Sequence, residues 1–373
     1  MATLNEDQLV KPTTSSASPI RLRLRRFRRL KRGYYSFLVL AAAYAISFFL
    51  SFLMGPRAIV VRYEGTFYFP AFRSYFYDTF GLGKNWAVLG TDVGQEDVYA
   101  EADYRELQQQ YRRANKGDFV IMPLILPFGP NEAFLEDKGY PPYPPSRTHW
   151  LGTDTSGRDI LVRLCYGYRI SISFALLVTG FSYAIGTVVG ALLGYYGRWI
   201  DMLGLRLVEI WSAVPFLYTV IILASIFRPS FILLVTILAA FGWMVIAYYV
   251  RGEFYREKAK DYVAAALASG ESDLSIMFRH ILPNALTPII AFAPFAIVGE
   301  IAALVSLDFL GYGVPDPTPS WGEMLLQAKE SGMTNWHLVV FPLGLMFITL
   351  QLIVFIGEAV REAFDPKVFS RLR

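Results

Sequence analysis

Glu300 stands inside an otherwise apolar stretch, where an ionisable side chain is costly enough to be a functional candidate by default. Such a carboxylate could relay protons, or it could sit hydrogen-bonded against a polar cavity. No intramembrane base accompanies it, which favours the second reading. The three histidines, His149, His280 and His337, lie far apart, and with Cys165 as the lone cysteine they show no metal-ligand spacing. Gly152 and Gly157 have the Gly-x4-Gly spacing of a phosphate loop, but Arg158 and Asp159 stand where that loop needs Lys and then Ser or Thr. A carboxylate beside a triphosphate is repulsive, so the segment reads as a structured turn (Thr153, Asp154, Gly157) leading into a surface helix. With no other Walker-type lysine motif, energy for any work must come from another polypeptide or an ion gradient. No cofactor or metal is expected in the chain itself.

The elements that would position these residues are set by hydropathy. Hydrophobic residues make up 54% of the 373 residues and charged residues 18%, against about a quarter charged in soluble domains. The missing charge is concentrated in long uncharged runs, the mark of membrane spans. After a polar, Ser/Thr/Pro-rich start, read as disordered to Ile20, comes RLRLRRFRRLKR, Arg21 to Arg32, and then the uncharged run Tyr34 to Met54. That run is too long for a signal peptide and reads as an uncleaved first span. The basic block holds the N-terminus in the cytoplasm and suits contact with anionic lipid. A net charge of +4 gives no reason to expect a nucleic-acid partner.

The expected fold is an all-α membrane protein of about six transmembrane helices with a small extracytoplasmic insert. A cytoplasmic tail (1–33), the first span (34–54), a periplasmic insert (55–149) and a pre-span turn with its surface helix (150–169) precede a five-helix core (170–357). A cytoplasmic C-terminal tail (358–373) follows. Core spans are expected at Ile170–Tyr195, Glu209–Phe227, Phe231–Val250, Ala285–Ser306 and Leu338–Gly357. Alternation places the 251–284 loop in the cytoplasm, and it carries Arg251, Arg256, Lys258, Lys260 and Arg279. Gly186, Gly190 and Gly194 make a smooth face that another helix can approach closely, in a partner subunit or in the same chain. Arg206 and Glu209, about one turn apart, read as a local ion pair.

The 251–284 loop is the most informative segment. Its Ala-rich part favours helix to Ser269, Gly270 can take a left-handed conformation that ends it, and Ser272 or Asp273 can cap the next helix. Leu274, Met277, Phe278 and Ile281 then recur at helical spacing as one apolar stripe, ended by Pro283. A short helix cannot bury such a stripe within itself. It lies on the bilayer or in a groove of a cytoplasmic partner.

This loop resembles the signature loop of ATP-binding-cassette (ABC) importer permeases: EAA, three residues, Gly, nine residues, an apolar residue, any residue, Leu-Pro. Ala265, Ala266, Gly270, Leu282 and Pro283 match, while Ala264 replaces the usual Glu and His280 the usual apolar residue. WLGTDTSGRDILVRLCYGYRISI (Trp150 to Ile172), FRHILPN (Phe278 to Asn284), SLDFLGYGVPDPTPSWGEML (Ser306 to Leu325) and EAVREAFDPK (Glu358 to Lys367) resemble the C-type oligopeptide/dipeptide branch. VRYEGTFYFP (Val61 to Pro70) resembles its microcin C and oligopeptide subgroup. The resemblance implies the type I permease fold in a bacterial inner membrane, both termini cytoplasmic, and no catalysis by this chain. It implies as partners a second, B-type permease, ATPase subunits holding ATP and Mg, a periplasmic peptide-binding protein and a peptide substrate. The coupling surface would comprise Ala265, Ala266, Gly270, Leu274, Met277, Phe278, Arg279, His280, Leu282 and Pro283, with Glu300 on a translocation path. A proton-coupled secondary peptide transporter would instead be expected to show an internal repeat and paired intramembrane acids. A membrane receptor or assembly protein would need fewer spans.

Overall fold

Asp159 accepts a hydrogen bond from the Val162 amide at 3.0 Å and so caps a helix that runs without a break from Ile160 to Tyr196. The computed structural model describes residues 19–75, 77–80, 102–114, 117–134, 139–332 and 334–364. The start of the basic tail, most of the C-terminal tail and residues 81–101 of the insert lie outside them. In chain order the helices are α1 (Pro19–Arg29), α2 (Lys31–Ser47), α3 (Leu50–Leu53), α4 (Tyr104–Ala114), α5 (Ile160–Tyr196), α6 (Arg198–Ser212) and α7 (Phe216–Ile226). Then come α8 (Phe231–Lys258), α9 (Asp261–Ala268), α10 (Asp273–Ser275), α11 (Leu282–Ile290), α12 (Ala293–Phe309), α13 (Trp321–Glu330) and α14 (Trp336–Phe364). Strands β1 (Val60–Tyr63), β2 (Thr66–Tyr68) and β3 (Phe119–Ile121) form an antiparallel sheet ordered β2-β1-β3.

α5 and α8 form the central pair. A Cβ on Gly186 would lie 2.6 Å from the Trp243 carbonyl oxygen, one on Gly190 2.5 Å from that of Ala247, and one on Gly194 2.7 Å from that of Arg251. The two numbers rise together, so the helices run parallel. The glycine face therefore packs within this chain. In lipid, where apolar burial gives no drive between helices, such close backbone approach is a main source of association. The bent α6–α7 pair, angled by 66°, makes the return crossing between them. Pro215, which has no amide proton, stands at the bend and caps α7.

Among the described residues three helices, α5, α8 and α14, are long and apolar enough to cross a membrane alone, or four spans counting the bent pair. Two of the expected spans are built from shorter or broken helices. The first expected span is the 17-residue α2, followed after a break at Phe48 and Phe49 by the single turn α3. The fifth is split at Ala291–Phe292 into α11 and the 17-residue α12, and Pro294, in the first turn of α12, cannot donate back across the break. The expected surface helix at 150–169 is also corrected. From Ile160 onward it is the first part of α5, because the Asp159 cap starts the helix there.

The insert holds the three-stranded sheet against α4 around Val61, Phe80, Tyr104, Leu107 and Val120. Tyr63 and Tyr111 stack across that core at 6.1 Å. The insert and the turn before α5 sit at one end of the bundle. α5 is about 55 Å long at 1.5 Å per residue, so its other end, with the 259–284 loop, is far from them.

Gly190→Leu should push α5 from α8 and destabilise the chain by about 1–3 kcal/mol, whereas Gly180→Leu, at a position where a Cβ meets nothing within 4 Å, should be tolerated. Thermal unfolding of the two variants in one detergent checks this, and equal melting would contradict the glycine contact.

Candidate functional site

The loop after α8 is an elbow anchored from several sides. Glu257, 3% exposed, accepts from Lys260 Nζ at 2.7 and 2.8 Å and from the Tyr262 hydroxyl at 2.9 Å, which fixes the turn into α9. α9 ends at Gly270, whose φ of 75° is the left-handed conformation that suits glycine. Ser272 caps the next element, accepting from the Ser275 amide at 3.4 Å. Asp273, the other candidate cap, accepts instead from the Tyr195 hydroxyl at 2.7 Å and so ties the elbow to the end of α5.

The apolar stripe expected over Leu274 to Ile281 is corrected. Residues Ile276–Ile281 form a π turn, not an α turn. Bonds from i to i+5 advance the chain by less rotation per residue, so Ile276 and Ile281 share a face and the α-helical register is lost. Ile276, Met277 and Ile281 are buried against Val263, Ala266 and Val250, whereas Leu274 is 61% and Phe278 49% exposed. Ala265, Gly270, Arg279 and Pro283 are exposed as well, and Ala266 is buried. Pro283 does not end a helix. It stands in the first turn of α11, which continues directly from the π turn. His280 Nε2 lies 2.9 Å from the Glu271 carboxylate across the elbow. The Ser275 hydroxyl and His280 hold that carboxyl below its usual range.

At the opposite end a buried ion-pair cluster joins the turn before α5 to α13. Arg158 donates to Asp154 Oδ2 at 2.7 Å, Asp316 Oδ1 at 2.5 Å and Glu323 Oε1 at 3.1 Å. Burial works against its charge, but Asp154, Asp316 and Glu323 outweigh it, so the guanidinium is held above its ordinary value. Arg163, fully buried, pairs with Glu323, donates to the Pro130 carbonyl at 3.0 Å and lies 3.4 Å from Asp154. Thr155 donates through both its amide and its hydroxyl to Gln327, at 3.1 and 2.8 Å. Ser320 caps α13 and donates to Asp308, so the loop between α12 and α13 is tied to the same end. His149, also buried, lies 2.8 Å from Asp159 and packs against the rings of Phe128 and Phe134.

Sequence reasoning read Thr153, Asp154 and Gly157 as a turn and missed this cluster. Its partners are about 160 residues apart, and spacing along the chain carries no trace of them. Arg163 inside an apolar helix was the available signal. His337 Nε2 donates to the Thr153 carbonyl, 3.3 Å away, so His149 and His337 lie at this end and His280 at the other. Glu300 is half-buried on α12 and faces Gly242 of α8, where the Ser182 hydroxyl also points. Arg206 and Glu209 pair at 2.6 Å, as their spacing suggests.

Residues 186–370 match the family described as binding-protein-dependent transport system inner membrane component. The chain is 40% identical over 354 residues to the inner membrane ABC transporter permease protein YejE of Escherichia coli K12, covering 94% of this chain and 98% of that one. It is 35% identical over 373 residues to the peptidoglycan transport system permease protein YejE of Agrobacterium fabrum, covering 97% of each. The oligopeptide transport system permease protein OppC of Haemophilus influenzae is 38% identical over 220 residues, 59% of this chain and 70% of that one.

Glu323→Gln should strand the buried Arg163 guanidinium and cost about 3 kcal/mol. Asp316→Asn, at a side chain 60% exposed, should cost less than about 1 kcal/mol. Denaturation midpoints of the purified variants read the difference, and equal losses would mean that the cluster is not organised around Arg163.

Proposed function

We propose that this chain, which belongs to the family of binding-protein-dependent transport system inner membrane components, moves peptides inward by taking up conformational work from separate ATPase subunits through its elbow. The chain is a multi-pass permease subunit of an ABC importer, with transmembrane helices and a mostly helical fold. The observation that carries the coupling role is the division of the elbow into two faces. Ile276, Met277 and Ile281 are locked into the chain's own core, while Leu274 and Phe278 project outward from the same rigid turn. A rigid turn with one face in the core transmits a push on the other face directly to α8, α9 and α11. Asp273 carries it on to α5.

In this reading the elbow end faces the cytoplasm, together with both termini. The basic run of α1 supports that orientation. Arg23 of α1 donates to Thr287 of α11 at 2.9 Å and lies over the Phe364 ring of α14, so the run sits at the elbow end. ATP and Mg belong to the ATPase, whose states favour different arrangements of the permease by differential binding. A second, B-type permease completes the path, and a periplasmic binding protein delivers cargo to the end that carries the insert. Peptidic cargo is supported by relatives named for oligopeptide and peptidoglycan transport. The stretch resembling the microcin C subgroup forms the β1–β2 hairpin of the insert, and microcin C-type peptides are proposed among the cargo.

Leu274→Asp with Phe278→Asp should leave the chain folded and inserted but abolish co-purification with the ATPase. Met277→Asp should instead unfold the elbow, because that side chain is 1% exposed. Affinity capture with protease resistance of the loop as the fold control checks both, and normal complex assembly by the double variant would refute the coupling surface.

A further inference from the structure

Between α8 and α12 lies a groove of about 250 Å³, open on one side. Its walls are aromatic. Tyr249 of α8 and Phe292, at the head of α12, stack with ring centroids 5.6 Å apart, and Tyr183 and Phe295 line the rest. The Tyr183 hydroxyl there lacks a hydrogen-bond partner, and Glu253 supplies the groove's one carboxylate. The guanidinium of Arg256, a side chain 63% exposed, lies against that carboxylate from outside the groove. One turn beyond the other end, Gly242 leaves open the space where the unpartnered Ser182 hydroxyl and the Glu300 carboxylate meet. Gly242 and Glu253 are eleven residues apart on α8, so the two carboxylates bracket a path of roughly 16 Å. That is about five residues of extended chain.

An apolar groove needs no carboxylate to hold lipid or a neighbouring helix. Aromatic faces together with a carboxylate and an acceptor hydroxyl suit a cation carried on an apolar body. We propose that this groove is a subsite for the protonated amine of a peptide in transit. The ammonium sits at Glu253, beside the stacked rings of Tyr249 and Phe292, and donates to the Tyr183 hydroxyl. The peptide's amide N–H groups run toward Ser182 and Glu300, which accept them. The inference rests on the importer reading and specifies what the path recognises. It also gives Glu300 a task that needs no proton movement.

The test uses the full chain, purified with its co-expressed partner subunits in lipid nanodiscs, with Cys165→Ser and Ala296→Cys to place a single thiol of this chain in the groove. The probe is the tetrapeptide amide Phe-Ala-Ala-Phe, compared with its N-acetylated form. The free amine should slow alkylation of the thiol by N-ethylmaleimide, and the acetylated peptide should not. Glu253→Gln should raise the half-protecting concentration by roughly tenfold, the loss expected for one charge-assisted hydrogen bond. Glu253→Asp should recover part of it, which separates lost charge from lost fold. Equal protection by both peptides would overturn the amine subsite and mark a merely apolar groove. So would an unchanged response of Glu253→Gln, or no protection in a complex whose ATP hydrolysis still responds to peptide and binding protein. A complex whose ATP hydrolysis never responds would count against the importer reading itself, while protection by the free amine alone would still stand for the groove.

Discussion

Everything in the bundle is hung on the contact between α5 and α8. Three glycines, one per turn, let the backbones of two long parallel helices touch, so the pair behaves as one rod. The elbow packs on one end of this rod and the ion-pair cluster is built on the other. A looser contact, such as a leucine face would give, would let either end move without the other. The glycines are thus the condition for any long-range effect in this chain.

The two ends use different chemistry for different reasons. At the elbow the fixed groups are apolar, and the polar ones satisfy turns: Glu257 with Lys260 and Tyr262, Ser272 at a cap, Asp273 with Tyr195. At the opposite end the fixed groups are charged. Burying Arg163 is unfavourable by itself, and the pairing with Glu323 and Asp154 compensates only in one geometry. Such a cluster specifies the seat of α13 more than it adds stability. A helix seated this way stays put until several pairs break together.

The helical class, the elbow's outline and the glycine face were legible because each depends on local spacing: an apolar run, a left-handed glycine, small residues at every fourth position. The division of the elbow was not. Leu274 and Met277 look equivalent at α-helical spacing, and only the π turn sends one outward and the other into the core. The breaks in the first and fifth spans were not legible for a related reason, since hydropathy registers an apolar run whether or not the helix breaks at Phe48 or Ala291. Arg158, Arg163 and Glu323 stayed hidden because their partners meet only in three dimensions. The aromatic groove was missed likewise, with walls drawn from four separate helices.

The position of Arg163 also sets a condition on how the chain is made. Its guanidinium enters the first core helix early, and Glu323 follows 160 residues later. At 5–20 residues per second that interval is roughly ten to thirty seconds. Throughout it the nascent chain holds a cation at a site that is dry once complete, with Asp154 and the Pro130 carbonyl at hand but not Glu323. α5 therefore reaches its final seat only when translation has nearly finished, and a chain cut short before α13 carries an unmatched charge that marks it as incomplete.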